Sequence, residues 1–355
     1  MAKTQSTNVT ATNTGYEMSY ITTNPVETIS LEKSAADGFS QGITIGPDRP
    51  QNGIGRILRY VASVPWAMEP ARFLDVVDVL RERAAGRHLS AEDAREYCGV
   101  TETRAAHRVD SRKGGAVAVI PLTGIIAHRI GMVENVSGPS GTSVEGFRNT
   151  LRAALASKEV GSVVIDVDSP GGAVEGVQEI ADEILASRGD KPIVAVANGL
   201  AASAAYWIAS AADEFSVIPS GQVGSIGVFA AHEDISQALE DSGVNVTLIH
   251  AGKFKVEGNP FEPLSDEARA HIQERVDATF NKFVGSVAAG RGTDIPTVKK
   301  DFGQGRIVDA DGAFKAGMAD RIETLEQAIN RMKGVRSRES MRAEMNLRRQ
   351  ALAFQ

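Results

Sequence analysis

The chain has a single cysteine, Cys98, in 355 residues. It cannot close an internal disulfide, and no Cys/His spacing proposes a zinc site. The expectation is a reducing compartment, the cell cytoplasm, with no metal or other cofactor. Net positive charge is missing too: 38 Lys and Arg against 45 Asp and Glu leave -7 at neutral pH, which gives no general attraction to nucleic acid or to an anionic membrane. Absent as well is the apolar core of a signal peptide. Met1-Ala2-Lys3-Thr4-Gln5-Ser6 runs on into Thr and Asn, so neither export nor a membrane anchor is expected. Only Pro192 to Ala212 resembles a membrane span, and its alanines, Asn198 and Ser203 place it instead as a strand followed by a buried helix.

What is present divides into four parts. Residues 1–50 are rich in Thr, Ser, Asn and Gly without an apolar period, and read as a flexible arm. Residues 51–110 carry Ile57, Leu58, Val61 and then Phe73, Val76, Val77, Leu80 at helical spacing, and read as a small helical module. Residues 111–330 alternate short apolar runs with amphipathic segments, the pattern of an α/β domain of strands and crossover helices. Strands are expected at Ala116 to Leu122, Ser162 to Val167, Ile193 to Ala197, Phe215 to Ile218 and Val244 to Ile249. Helices are expected at Val144 to Ala156, Val174 to Ser187, Ala201 to Ala212, Ile235 to Ser242 and Ser265 to Ala289. Residues 331–355 form a basic, helix-prone tail with Arg336, Arg338, Arg342, Arg348 and Arg349, which suits a solvated face or an acidic partner.

The chemistry gathers in three segments. Ser203 stands among small residues in Asn198-Gly-Leu-Ala-Ala-Ser-Ala-Ala205, where a strand gives way to a helix. A serine hydroxyl becomes a nucleophile only with a base in reach and donors for the oxyanion. Asp168-Ser-Pro-Gly-Gly172 follows a strand and precedes a helix, so Gly171 and Gly172 offer backbone N–H groups, with the N–H of Ala204 as another donor. A second glycine-rich turn, Gly221-Gln-Val-Gly-Ser-Ile-Gly227, adds Ser225 as a hydroxyl to orient a base.

Three side chains compete as that base. Lys255 lies between Phe254 and Val256 ahead of Gly258-Asn259-Pro260, and must lower its pKa from about 10.4 toward roughly 7 to act. Lys253 points to the opposite face if the segment is extended. His232, with Glu233 or Asp234, would form a Ser-His-acid arrangement.

As a set, Asp168-Ser-Pro-Gly-Gly172, Gly199-Leu-Ala-Ala-Ser203-Ala, Val223-Gly-Ser-Ile-Gly-Val228 and Lys255 with Asn259-Pro260 resemble the signal peptide peptidase A family of Ser-Lys serine peptidases. That resemblance covers about Ala116 to Ile322 and implies the Clp protease/crotonase-like spiral of repeated β-β-α units. It makes Ser203 the nucleophile, Lys255 the general base and Ser225 the hydroxyl that orients the lysine. Gly171, Gly172 and Ala204 form the implied oxyanion hole. Ala204 and Ala205 depart from the common Ala-Ser-Gly-Gly pattern but keep the backbone donor.

The segments Pro65-Trp-Ala-Met-Glu-Pro70, Ser225 to His232 and Leu248 to Pro260 are most like the branch of phage and prophage head maturation, or capsid assembly, proteases. The implied function is endopeptidase cleavage of scaffold, capsid or portal-associated proteins inside the procapsid, by a homo-oligomeric ring. A host cytoplasmic peptidase degrading signal-peptide remnants or other peptides, and a structural head protein with a protease-like core, are the alternatives.

Overall fold

Unbroken runs of Val and Ile set the centre of the molecule. The computed structural model describes residues 65–74, 77–78, 106–109, 115–128 and 141–333. The arm at 1–50, most of 51–110 and the tail beyond Lys333 lie outside the described residues. In chain order the strands are β1 (Trp66–Met68), β2 (His107–Val109), β3 (Ala116–Thr123), β4 (Ile125–Ala127), β5 (Gly141–Ser143), β6 (Val160–Ser169), β7 (Gly171–Ala173), β8 (Ile193–Ala202), β9 (Glu214–Val217), β10 (Gln222–Gly224), β11 (Ile307–Asp309) and β12 (Arg321–Ile322). The helices are α1 (Val144–Ala156), α2 (Val177–Ala186), α3 (Ala204–Ala209), α4 (Ser236–Asp241), α5 (Asp266–Arg291), α6 (Ile295–Asp301), α7 (Ala310–Ala316) and α8 (Leu325–Met332).

The larger sheet runs β11-β10-β8-β6-β3-β2, with β9 also on β8 and β12 on β9. β3, β6, β8 and β10 pair in parallel. Val163, Val164, Ile165 and Val167 of β6 are all fully buried, as parallel strands covered on both faces require. One face packs against α1, α2, α3 and α5 through Phe147, Leu151, Ile180, Ile184, Trp207 and Phe283. The other is covered by Ala328 and Met332 of α8, against Val117, Val119, Val164 and Val196.

α1 shows how the sequence does this. Ser143 caps it by accepting the Gly146 N–H, and Val144, Phe147, Leu151 and Ala154 recur on one buried face. Burying Phe147 and Leu151 contributes about 1.5–3 kcal/mol each. The chain is therefore α/β, strands linked by crossover helices, and α1 has the expected bounds.

A second sheet runs β1-β7-β4-β5, and two short strands fall within residues 51–110, the segment expected as a small helical module. Trp66–Met68 is a strand antiparallel to β7, and His107–Val109 is a strand antiparallel to β3. Helical structure does follow at residues 70–74. Pro65 and Pro70 bracket β1, and each disfavours the α region in the residue before it, which helical spacing of apolar residues did not weigh.

Two other expectations change. β8 continues through Ala202, so α3 begins only at Ala204. Val244 to Ile249 forms no strand: Val244, Val246, Leu248 and Ile249 are exposed by 46%, 41%, 39% and 97%. Among the described residues no strand pairs with them.

One cation ties the helices behind β8 together. The Arg188 guanidinium donates to the carbonyls of Ser210, Ala211 and Ala212, just after α3, and to Gly290 near the end of α5. Helix C-termini present unpaired carbonyls, and a planar fork of donors suits them. Beside it Arg291, 5% exposed, pairs with both carboxylate oxygens of Asp320.

Candidate active site

Ser203 is where β8 stops. It caps α3 at φ 54°, ψ -116°, a conformation that belongs to glycine. Non-glycine residues held there store about 1–3 kcal/mol. Its N–H donates to Gly224 O at 2.7 Å and its carbonyl accepts the Trp207 N–H at 2.9 Å, so backbone bonds on both sides enforce the geometry. The side chain is fully buried, and its hydroxyl donates to Gly227 O at 3.4 Å.

Ser225 stands alongside. β10 pairs in parallel with β8, Gly224 opposite Ala202, so Ser203 and Ser225 are the next residues of neighbouring strands about 4.8 Å apart. Ser225 is also buried, also at positive φ (51°), and its N–H donates to Arg306 O at 2.8 Å.

The glycine pair lies against the same point. A Cβ at Gly171, whose φ is +96°, would stand 2.3 Å from Ala67 O, 3.0 Å from Ser203 Cβ and 3.0 Å from Ala204 N. A Cβ at Gly172 would fall 1.8 Å from Ile126 O. Glycine is required at both positions by close approach.

The donors divide unequally. The Gly171 N–H is taken by Ser169 Oγ at 3.2 Å, while that hydroxyl donates to Gly124 O at 2.6 Å. Gly171 therefore supplies space rather than a free N–H. The Gly172 N–H follows from the ladder. Glu69 N–H donates to Pro170 O, and Val174 N–H to Pro65 O. Hydrogen-bonded pairs alternate in an antiparallel ladder, so the pair between them, Ala67 and Gly172, exchanges bonds. The N–H of Ala204, first residue of α3, has no partner within the helix.

The candidate bases are elsewhere. Lys255 is exposed, in a turn where its N–H donates to Gly252 O at 3.1 Å. Lys253 pairs with Glu267 at 2.9 Å and lies over the Phe254 ring. His232 Nε2 is 3.2 Å from Asn259 O. Among the described residues no hydrogen bond joins any of these three to Ser203 or Ser225. The chain thus brings together Ser203, Ser225, Gly171, Gly172 and Ala204, and leaves Lys255 outside that group. Sequence reasoning missed Ala67, Ser169 and Gly227. The prolines bounding residues 65–70 were the available signal for the first.

Among the described residues no three His, Cys, Asp or Glu side chains gather where a metal ion could sit. No described helix is long and apolar enough to cross a membrane.

Comparison with known proteins agrees with this geometry. The profile of peptidase family S49 matches residues 186–337, and that of Clp protease matches residues 145–223. The chain is 36% identical over 216 residues to the head-tail preconnector protein GP5 of Enterobacteria phage P21, covering 61% of this chain and 42% of that protein. It is 36% identical over 217 residues to capsid assembly protease C of Escherichia phage lambda, covering 61% of this chain and 48% of that one. The chain therefore spans about half the length of these two relatives. A putative protease of Synechocystis sp. is 30% identical over 192 residues, 53% of this chain and 69% of that protein. With the glycine pair set against a strained serine at a strand-to-helix junction, these matches establish that the chain belongs to peptidase family S49.

Proposed function

We propose that the chain is a serine endopeptidase in which Ser203 attacks the scissile carbonyl and Lys255 is the base. The observation that carries the reading is the strained, buried Ser203 packed against Gly171 and Ala204 N. In the proposed cycle the Ser203 hydroxyl proton passes to the neutral Lys255 amine as Oγ bonds to the carbonyl carbon. The N–H of Ala204 and, once the Ala67 carbonyl has left it, the N–H of Gly172 receive the oxyanion, and preorganised donors of this kind contribute about 3–4 kcal/mol each. The protonated lysine then gives its proton to the departing amine. Water, deprotonated by the same lysine, releases the acyl group as a carboxylate and restores Ser203. Ser225 orients the lysine.

This reading requires Lys255 to move from solvent to a shielded place beside Ser203. Only a neutral amine can take the Ser203 proton, and a shielded place disfavours the charged form. We propose that a second copy of the chain covers the segment around it, where the apolar Val244, Val246, Leu248, Ile249 and Phe254 are exposed. A homo-oligomeric ring with enclosed sites fits that requirement. Ile249→Glu is then expected to lower both the sedimentation coefficient and the activity.

The substrate class follows from the relatives. Proteins named for capsid assembly and for the head-tail preconnector support a role in phage head maturation, with scaffold, capsid or portal-associated polypeptides as substrates. The test is co-expression with the neighbouring capsid and scaffold proteins, read by intact mass. New termini are expected with wild type and none with Ser203→Ala or Lys255→Ala. Cleavage that persists in either variant overturns the proposed mechanism.

A further inference from the structure

β1 lies between the glycine pair and the segment after Ser225. Trp66–Met68 is the end strand of the smaller sheet, antiparallel to Gly171–Ala173 on one side. On its other side Trp66 N–H donates to Phe229 O at 2.8 Å and Phe229 N–H to Trp66 O at 3.0 Å. Those two borders are the strand that contains the glycine pair and the segment that follows Ser225. An extended peptide held by main-chain bonds on both edges is how a protease presents a bond of any sequence to its nucleophile.

The register is specific. Within this strand the Ala67 carbonyl accepts from Gly172 N–H, by the alternation described above. The space a Gly171 Cβ would fill adjoins the Ala67 oxygen at 2.3 Å, and Ser203 Cβ and Ala204 N at 3.0 Å each. The Ala67 oxygen therefore borders the same small space as Ser203 Cβ and the Ala204 N–H. The neighbouring residues anchor that register. Ala67, Trp66 and Met68 are 0%, 4% and 2% exposed. Trp66 and Phe229 both meet Phe73, at ring-centroid distances of 5.5 and 5.0 Å.

We infer that residues 65–69 are an internal substrate and that Ser203 cuts this chain between Ala67 and Met68. The inference rests on the Ser-Lys reading above and adds a defined bond to it. Ser203 Oγ bonds to the Ala67 carbonyl carbon and its proton goes to Lys255. The Ala67–Met68 bond breaks, and the Met68 amine leaves with the proton from Lys255. Water then hydrolyses the Ala67 ester to a carboxylate. Until Pro65–Ala67 leaves, the acyl side of the groove is filled, so other polypeptides are cut only afterwards. The same register assigns a small residue to the position before the scissile bond, because Ala67 has no accessible surface to extend into.

The test uses the full chain, purified as wild type and as Ser203→Ala, followed by intact mass and N-terminal sequencing. In parallel, wild type receives a synthetic peptide of residues 63–72, the same peptide carrying Ala67→Trp, and unfolded casein. Expected are fragments 1–67 and 68–355 from wild type only, and cleavage of the peptide at the same bond. The Trp-substituted peptide is expected to be cut at least tenfold more slowly. Casein digested while the chain and the peptide stay whole at Ala67–Met68 overturns this inference and leaves the nucleophile standing. Cleavage at Met68–Glu69 overturns the register. Casein, the peptide and the chain itself all left whole by wild type overturns both readings.

Discussion

Ser203→Gly and Ser203→Ala both remove the hydroxyl, so the difference between them isolates the backbone of Ser203. At an ordinary position alanine is favoured over glycine by about 0.4–1 kcal/mol, because glycine has more freedom to lose on folding. Ser203 is at φ 54°, ψ -116°, where a side chain costs about 1–3 kcal/mol and glycine costs nothing. The second effect exceeds the first by about 1 kcal/mol. Both variants lose the 3.4 Å bond from the hydroxyl to Gly227 O, so that contribution cancels. Ser203→Gly is therefore expected to be the more stable of the two. One kcal/mol moves Tm by about 2–4 °C in a domain of this size, which thermal unfolding followed by circular dichroism resolves. A pair in which Ser203→Ala melts at the same temperature as Ser203→Gly, or above it, would refute the claim that the fold holds this serine under strain.

Three further outcomes are expected. Gly172→Ala puts a methyl 1.8 Å from Ile126 O in the neighbouring strand, a main-chain collision expected to destabilise by about 3 kcal/mol. Gly227→Ala, whose Cβ would meet only Gly305 Cα at 3.8 Å, serves as the tolerated control in the same urea titration. Asp320 supplies a pH dependence. Burial pushes its carboxyl up, but the Arg291 fork and the Phe215 N–H outweigh this, so it stays below the usual carboxylate range. Its contribution is complete above the unfolded-state pKa of about 3.9 and is lost as pH falls through the lower folded-state value. Asp320→Asn should flatten the acid limb of stability against pH, and an unchanged limb would contradict the pairing. Finally, Thr324 and Gln327 form a reciprocal capping box on α8. Thr324→Ala is expected to cost about 1 kcal/mol by the same urea titration, and a loss below about 0.3 kcal/mol would show the cap to be idle.

How far the sequence spoke depended on whether a signal was local. Val144–Ala156 was readable to the residue because its cap and its apolar face lie within one helix. Ser203, Gly171 and Gly172 were readable as a set because strand ends and glycines mark them. Their division of labour was not, since it depends on Ser169 Oγ occupying the Gly171 N–H. Val244 to Ile249 has the alternation of a strand, yet a strand is a relation between two segments and no second one pairs with it among the described residues. Trp66–Met68 was obscured for the opposite reason. Its partners Gly171–Ala173 are about a hundred residues away, and nothing local distinguishes a strand from the end of a helix. Lys255 could be named from its neighbours, but its distance from Ser203 is a matter of tertiary placement.

The fork of Arg188 has a consequence for the nucleophile. α3 is six residues long, about 9 Å at 1.5 Å per residue, with Ser203 at one end and the carbonyls held by Arg188 at the other. So short a helix transmits a push along its axis as a rigid strut. Gly290 of α5 lies so close to that far end that a Cβ there would stand 2.4 Å from Ser210 O. The position of Ser203 is thus set from behind, by a glycine and an arginine at the far end of α3. Variation at Gly290 or Arg188 would shift Ser203 while leaving every residue around it intact.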